Sequence, residues 1–429
     1  MKKIYSLFLL PLSIAAMAQD KPTTPVNYPS TFNEIRTVTR QHRQLWNKDL
    51  YTAILLVDPQ TRAVVANEAD SAGILKKRPD GVFAGQLPNN VNIANTSVNW
   101  SGKRWAMILL PLPEDKYERL NLMSHEMFHR AQPALGFIQP DPDNPHMNKK
   151  EGRLYLRLEL EALKKAIQAA SAAEVQQHVT SALLFREYRR QLYPGADTTE
   201  NQLELNEGLA EFTGAMTCGR NEQQNIAHFT SSIEHYVSYP TFVRSFAYQT
   251  IPAYGYLLSK QQPYWNHHID NHTDLTAYFL KAFNVTVPAD LKTATDKLSG
   301  SYNGSQILAE ETDREIATQK LVAAYKKTFV ESPHTAIALK KMNISFNPSI
   351  IVPLEDKGTV YPTMRVTDLW GILTVTKGAL MNPSWNMITL SAPTDITNKK
   401  ASGDGWTLEL NDGYTLVKDE QGNYKLTGK

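Results

Sequence analysis

Residues 120–133 read Leu120-Asn121-Leu122-Met123-Ser124-His125-Glu126-Met127-Phe128-His129-Arg130-Ala131-Gln132-Pro133, and the middle of this run spells H-E-x-x-H. Residues four apart lie on one face of a helix, so His125 and His129 aim two imidazoles at one point. Leu122, His125, Glu126 and His129 recur at i, i+3, i+4 and i+7, the period of a helix. The preceding segment, Arg104 to Pro111, is apolar and bounded by turn signals, and reads as a strand. Pro113 ends that strand, Glu114 and Asp115 suit a first helical turn, and Pro133 closes the helix. Two histidines so spaced suit a metal ion, and Glu126 beside them would reach a water that the ion holds. Zinc lowers the pKa of such a water to about 7, where a carboxylate can take its proton. The pattern predicts a metal-dependent hydrolase, most often a peptidase. The competing reading makes both histidines ordinary core or surface residues, since short motifs also arise by chance.

Asn206-Glu207-Gly208-Leu209-Ala210-Glu211 offers a third ligand. It lies in a stretch, Glu200 to Cys218, that reads as a helix, and Glu207 and Glu211 share one face of it. Two acids among Leu205, Leu209, Ala210, Phe212 and Ala215 are costly to bury unless paired or metal-bound. Zinc held by two His and one Glu keeps a fourth position open, which is the catalytic form of such a site. Glu211 would then accept a hydrogen bond from a ligand imidazole and fix its tautomer. The alternative is a solvated helix face with two ordinary acids.

H-E-M-F-H and N-E-G-L-A-E together resemble the gluzincin metallopeptidases, the group that includes thermolysin and the zinc aminopeptidases. The resemblance covers roughly residues 90 to 260. It implies His125, His129 and Glu207 as ligands of one Zn2+, Glu126 as the general base, and a supporting role for Glu211. It also implies a tyrosine, in a Y-x-x-G pattern near the start of a later helix, that donates to the oxyanion. Tyr248 in Tyr248-Gln249-Thr250-Ile251 is the nearest match, with Ile251 where the group has glycine. Tyr254 and Tyr239 compete for that role. The gap from His129 to Glu207 is longer than in most of the group. The exopeptidase signature G-x-M-E-N does not occur, so the resemblance does not choose between end and internal cleavage. The segment Asn99 to Leu110 is the counterpart of the edge strand that pairs with substrate backbone.

Between the motifs, Lys149 to Ser171 and Ala173 to Tyr193 read as two helices that cap or brace the metal-binding pair. Arg153, Arg157 and Glu159 read first as a solvated face of the former, with buried pairing as the alternative. Gln139 to His146 is a loop whose aspartates lack the spacing of a calcium loop. Tyr264 to His272 holds three histidines without a helical face, a weak case for a second metal site. Thr52 to Val57 and Ala63 to Asn67 flank a hairpin turn at Asp58 to Thr61; with Val91 to Ala94 and Arg104 to Leu110 they make a small mixed sheet. From about Ile344 the pattern turns to short strands, with Asn411-Asp412-Gly413 as a hairpin turn. The expected fold is α+β: a sheet at 50–112 and a helical half at 114–330 within a catalytic region at 31–340, then an all-β accessory unit at 341–429.

The chain has 429 residues, 42% of them hydrophobic, and a formal net charge of +2. That balance gives no sign of a nucleic-acid partner. Residues 1–18 read as a signal peptide: Lys2-Lys3, the apolar run Ile4 to Ala16, then Ala16-Met17-Ala18 at the cut. Residues 19–30 read as a linker. These features predict export, to the periplasm or beyond, and no membrane span elsewhere. Cys218 is the only cysteine, which excludes an internal disulfide and suits a small buried group. The sequence therefore predicts an exported zinc metallopeptidase acting on a peptide or protein by a zinc-activated water. The alternatives are a zinc-containing binding protein without turnover and a hydrolase of a non-peptide amide. No pattern speaks to oligomeric state.

Overall fold

A computed structural model describes residues 27–88, 91, 93–346 and 350–428. The expected signal peptide lies outside these residues, as does most of the expected linker. The linker's last residues are not loop: helix α1, Tyr28–Gln41, begins there, with the Asn27 side chain accepting from the Ser30 N–H and Pro29 in the first turn.

Among the described residues the first sheet has six strands: β1 (Ile54–Val57), β2 (Ala63–Ala66), β3 (Lys76–Lys77), β4 (Phe83–Gln86), β5 (Thr96–Trp100) and β6 (Lys103–Leu109), in the order β3-β4-β2-β1-β6-β5. β1 and β2 form the expected hairpin, its turn held by Asp58 accepting from the Gln60 and Thr61 N–H groups. β1 runs parallel to β6, so the sheet is mixed. Two expectations are corrected here. Val91, Ile93 and Ala94 belong to no strand, in keeping with the asparagine-rich run around them. Arg104 to Leu110 is interior, between β1 and β5, and the edge is β5.

Helix α2, Lys116–Ala131, follows β6 after a short turn. Asp115 caps it by accepting from the Tyr117 and Glu118 N–H groups. Its Leu120, Met123 and Met127 pack with Phe32 and Ile35 of α1 against Ile54, Leu56, Ala106 and Ile108 of the sheet. One side of α2 is thus anchored, and the His125 side faces the helical half.

That half contains α3 (Lys150–Gln168), α4 (Ala172–Leu192), α5 (Ala196–Leu203), α6 (Leu209–Thr217), α7 (Glu222–Tyr236), α8 (Ala247–Ser259), α9 (Leu275–Ala282), α10 (Leu291–Ser299) and α11 (Gly304–Lys326). The expected single helix from Glu200 to Cys218 is interrupted: α5 passes into α6 through one π turn, Glu204–Gly208. Single π turns of this kind often accompany functional sites.

The solvated-face reading of Arg153, Arg157 and Glu159 is overturned. Arg153 and Arg157 both bond Glu311 of α11, at 2.8 and 2.9 Å. Glu159 is fully buried, 2.7 Å from Arg186 and 2.5 Å from Arg189 of α4. The lattice continues: Arg186 bonds Glu204 at 2.5 Å, and Arg189 and Arg190 bond Glu200 at 2.9 and 3.0 Å. Thr250 and Tyr254 of α8 donate to Glu204 and Glu159. Three carboxylates and three guanidiniums balance in this buried interior. Burial raises the cost of the Glu159 and Glu200 charges, but the surrounding arginines outweigh it and hold both carboxyls below their ordinary range.

The C-terminal unit begins earlier than residue 341, since His334–Ala338 pairs with Met387–Ser391. Among the described residues two sheets, seven- and six-stranded, share a core that includes Ile337, Val366, Leu373, Ile388 and Trp406. Asn411-Asp412-Gly413 is not a hairpin: it joins Trp406–Leu410 to Tyr414–Lys418, strands of different sheets. Phe329, just after α11, packs into this unit against Leu354, Val360 and Leu380. No helix of the described residues is long and apolar enough to cross a membrane.

Removing one member of a buried ion network strands its partners, at a cost of about 3–5 kcal/mol. Arg186→Met should therefore lower the urea midpoint sharply, whereas Lys292→Ala, at an exposed pair with Asp296, should leave it nearly unchanged. Because Glu159 and Glu200 are held below their unfolded value of 4.5, their stabilisation is present above that pH and lost as pH falls beneath it. The melting temperature should decline below about pH 4.5, and a flat profile down to pH 3 would contradict the charged lattice.

Candidate metal centre

α2 presents His125 and His129 one turn apart, and the π turn brings Glu207 up to them. The two Nε2 atoms lie 3.0 Å apart. Glu207 Oε2 is 3.2 Å from His129 Nε2 and 3.6 Å from His125 Nε2. These three residues form a group whose ligand atoms lie within 4.8 Å of one another. In a tetrahedral zinc site with Zn–N near 2.0 Å, two donor atoms sit about 3.3 Å apart. The spacing of the three side chains fits that requirement.

The hydrogen bonds behind the imidazoles decide what the inner atoms are. His125 Nδ1 lies 2.9 Å from Glu211 Oε2, and a carboxylate only accepts, so this nitrogen carries the proton. His129 Nδ1 lies 2.8 Å from Gln132 Oε1. The Gln132 amide cannot be turned round, because its Nε2 donates to the Asn206 carbonyl at 2.7 Å. His129 is therefore also protonated at Nδ1. In the neutral rings both Nε2 atoms hold lone pairs, and they face each other beside a carboxylate oxygen. A proton is one filler: burial disfavours charge on His125, yet Glu207 and Glu211 outweigh it and push that imidazole up to about 10. A proton on one nitrogen bonds a single partner well, whereas a divalent cation satisfies three donors together.

Glu211 is held in turn by Asn121, whose Nδ2 donates to Oε1 at 2.7 Å. Burial opposes its charge, and the His125 and Asn121 bonds outweigh burial and keep its carboxyl low. Gly208 permits the close approach of the π turn to α8: a Cβ there would stand 2.6 Å from Ile251 Cγ1 and 3.2 Å from the Ala247 carbonyl. That contact places Tyr248, at the start of α8, against Glu207. The Tyr248 hydroxyl donates to Glu207 Oε2 at 2.5 Å, and its ring stacks on His125 at 5.4 Å. Tyr254 and Tyr239 do not reach the group: Tyr254 is buried on Glu159, and Tyr239 is 40% exposed beside His235 and Tyr236. Glu126 is 4% exposed, and its Oε2 has no hydrogen-bond partner. Burial is the main cause that raises its carboxyl above the ordinary range.

These residues open into a cleft of about 260 Å³ lined also by Asn95, Thr96, Ser97, Arg104, Asp141 and Asn206. β5, the sheet edge, forms one wall. Sequence reasoning missed Gln132, Asn121 and Arg104. Two carried a local signal, since Asn121 precedes His125 by one helical turn and Gln132 follows His129 by three residues. Arg104 carried none. The remaining histidine and cysteine candidates go elsewhere. His267 bonds the Gln44 and Leu45 carbonyls, and Cys218 is buried beside Arg220, burial raising its thiol above the ordinary range. Asp141 and Asp143 pair with Arg244.

Compared with protein-family models, curated proteins and solved structures, the chain matches none of them.

The Gln132 amide orients the His129 ring, and losing such a partner of a metal-bound imidazole typically costs 10–100-fold in metal affinity. Gln132→Ala should weaken zinc binding by about that factor in competition with a chromophoric chelator. An unchanged affinity would show that the amide does not set the His129 tautomer.

Proposed function

We propose that the protein is an exported, gluzincin-type zinc metallopeptidase that hydrolyses peptide bonds. The observation that carries this reading is the convergence of three lone-pair donors, from His125, His129 and Glu207, beside the buried Glu126 carboxylate, whose Oε2 has no hydrogen-bond partner. The match of both motifs to one peptidase group supports it further. The basic, apolar and small-residue order of residues 1–18 supports export.

A zinc ion held there would supply Lewis acidity, polarising a carbonyl and making a water acidic near neutral pH. The chain's own groups provide the rest. An extended substrate lies along β5, whose outer edge offers backbone partners. Glu126 takes a proton from the attacking water and gives it to the leaving nitrogen. Its burial favours the protonated form, which strengthens the carboxylate as a base for the first transfer. Tyr248 stays protonated, because burial and Glu207 raise its pKa, and so it remains a donor for the developing oxyanion. Gln132, Glu211 and Asn121 keep both imidazoles in one tautomer throughout.

Glu126→Gln should bind zinc with wild-type stoichiometry and lower cleavage of a peptide library by about a hundredfold or more. Full turnover in that variant with zinc bound would remove Glu126 from the reaction. Zinc binding by the wild type without cleavage of any library member would favour a binding protein instead.

A further inference from the structure

Arg104 stands at the start of β6, opposite Asn99 of β5, and its side chain lines the same cleft as His125, Glu126, His129 and Glu207. Its Nη2 donates to Ser97 Oγ at 2.8 Å and lies 3.5 Å from the His129 carbonyl. Both partners are neutral oxygens. Among the described residues Arg104 forms no ion pair, although most arginines of the helical half are matched with carboxylates. The other acid on the cleft wall, Asp141, is already paired with Arg244.

The neighbouring acids are engaged elsewhere: Asp141 and Asp143 pair with Arg244, Glu211 bonds His125 and Asn121, and Glu207 bonds His129 and Tyr248, so among the described residues no carboxylate is matched with the Arg104 guanidinium. A guanidinium bonded only to neutral oxygens, among walls of Asn95, Thr96, Ser97 and Asn206, gives little to an apolar side chain and much to an anion that reaches it. A guanidinium presents a planar fork that suits a carboxylate.

We propose that Arg104 recognises a substrate carboxylate, so that the cleft selects acidic peptides. The proposal rests on the peptidase reading for the chemistry that follows, but the recognition itself does not depend on turnover. The carboxylate has two sources, an acidic side chain or a free chain end.

The test is fluorescence-anisotropy binding to the full chain carrying Glu126→Gln, with zinc added. The probes are four labelled peptides of one length: a neutral sequence with an amidated end, the same with one Glu, the same with one Lys, and the neutral sequence with a free C-terminus. A carboxylate probe should bind about tenfold tighter than the neutral amide, the usual scale for one well-formed charged contact. Whichever carboxylate probe gains identifies the source. Adding Arg104→Met should erase that advantage, Arg104→Lys should restore part of it, and Arg104→Glu should turn the preference to the Lys peptide. Equal binding of all four probes, or no binding, overturns the proposal. So does an advantage that survives Arg104→Met in a protein with an unchanged melting temperature. Acidic preference with no cleavage by the Glu126-containing chain leaves the recognition standing and removes the peptidase reading, so the two failures are distinct.

Discussion

Two imidazoles whose outer nitrogens are committed as donors must turn their lone pairs inward. That constraint governs the centre of this protein. Glu211 accepts a hydrogen bond from one ring N–H and Gln132 from the other, and Glu207 adds a carboxylate oxygen to the same small space. Three electron-rich atoms at 3.0–3.6 Å repel one another unless a proton or a metal cation lies between them. The arrangement is therefore informative through what it would cost unfilled. On the inner side the two rings meet only each other and the Glu207 carboxylate, a set of acceptors that one cation can satisfy together.

The scaffold explains how such a repulsive group is held. Glu204 begins the π turn that ends at Gly208, and it is gripped by Arg186 from α4 and Thr250 from α8. Glu207, three residues on, inherits that position. Breaking a buried network of this kind is costly, whereas its net worth against an apolar core is small. Its more evident effect here is registry: charges with fixed partners leave the π turn one place to sit. Gly208 then brings α8 close enough for Tyr248 to reach Glu207.

Features governed by local spacing were legible in the sequence. His125 and His129 four apart, the strand before them, the hairpin at Asp58 to Thr61 and the α+β class follow from periodicity and turn chemistry alone. Glu207 stood out as a third ligand because two acids share one face of an apolar run, and the motif resemblance pointed the same way, although 78 positions separate it from His129. What the sequence hid is non-local. Arg153, Arg157 and Glu159 carry the i, i+4 pattern of a solvated helix, yet their partners arrive from α4 and α11. The π turn adds one residue to the local helical repeat without any composition mark. β5 is the edge because β6 pairs with β1, a parallel contact between strands about fifty residues apart. Asn411-Asp412-Gly413 has hairpin chemistry, but the following strand joins the other sheet, and only tertiary packing decides that choice.

The central claim is that one divalent ion sits among these three side chains. Anomalous diffraction from crystals of the full chain, collected on both sides of the zinc absorption edge, addresses it directly. The expected result is a single strong peak within bonding distance of His125 Nε2, His129 Nε2 and the Glu207 carboxylate. A clear map of zinc-soaked crystals with the three side chains in place and no peak between them would contradict the account.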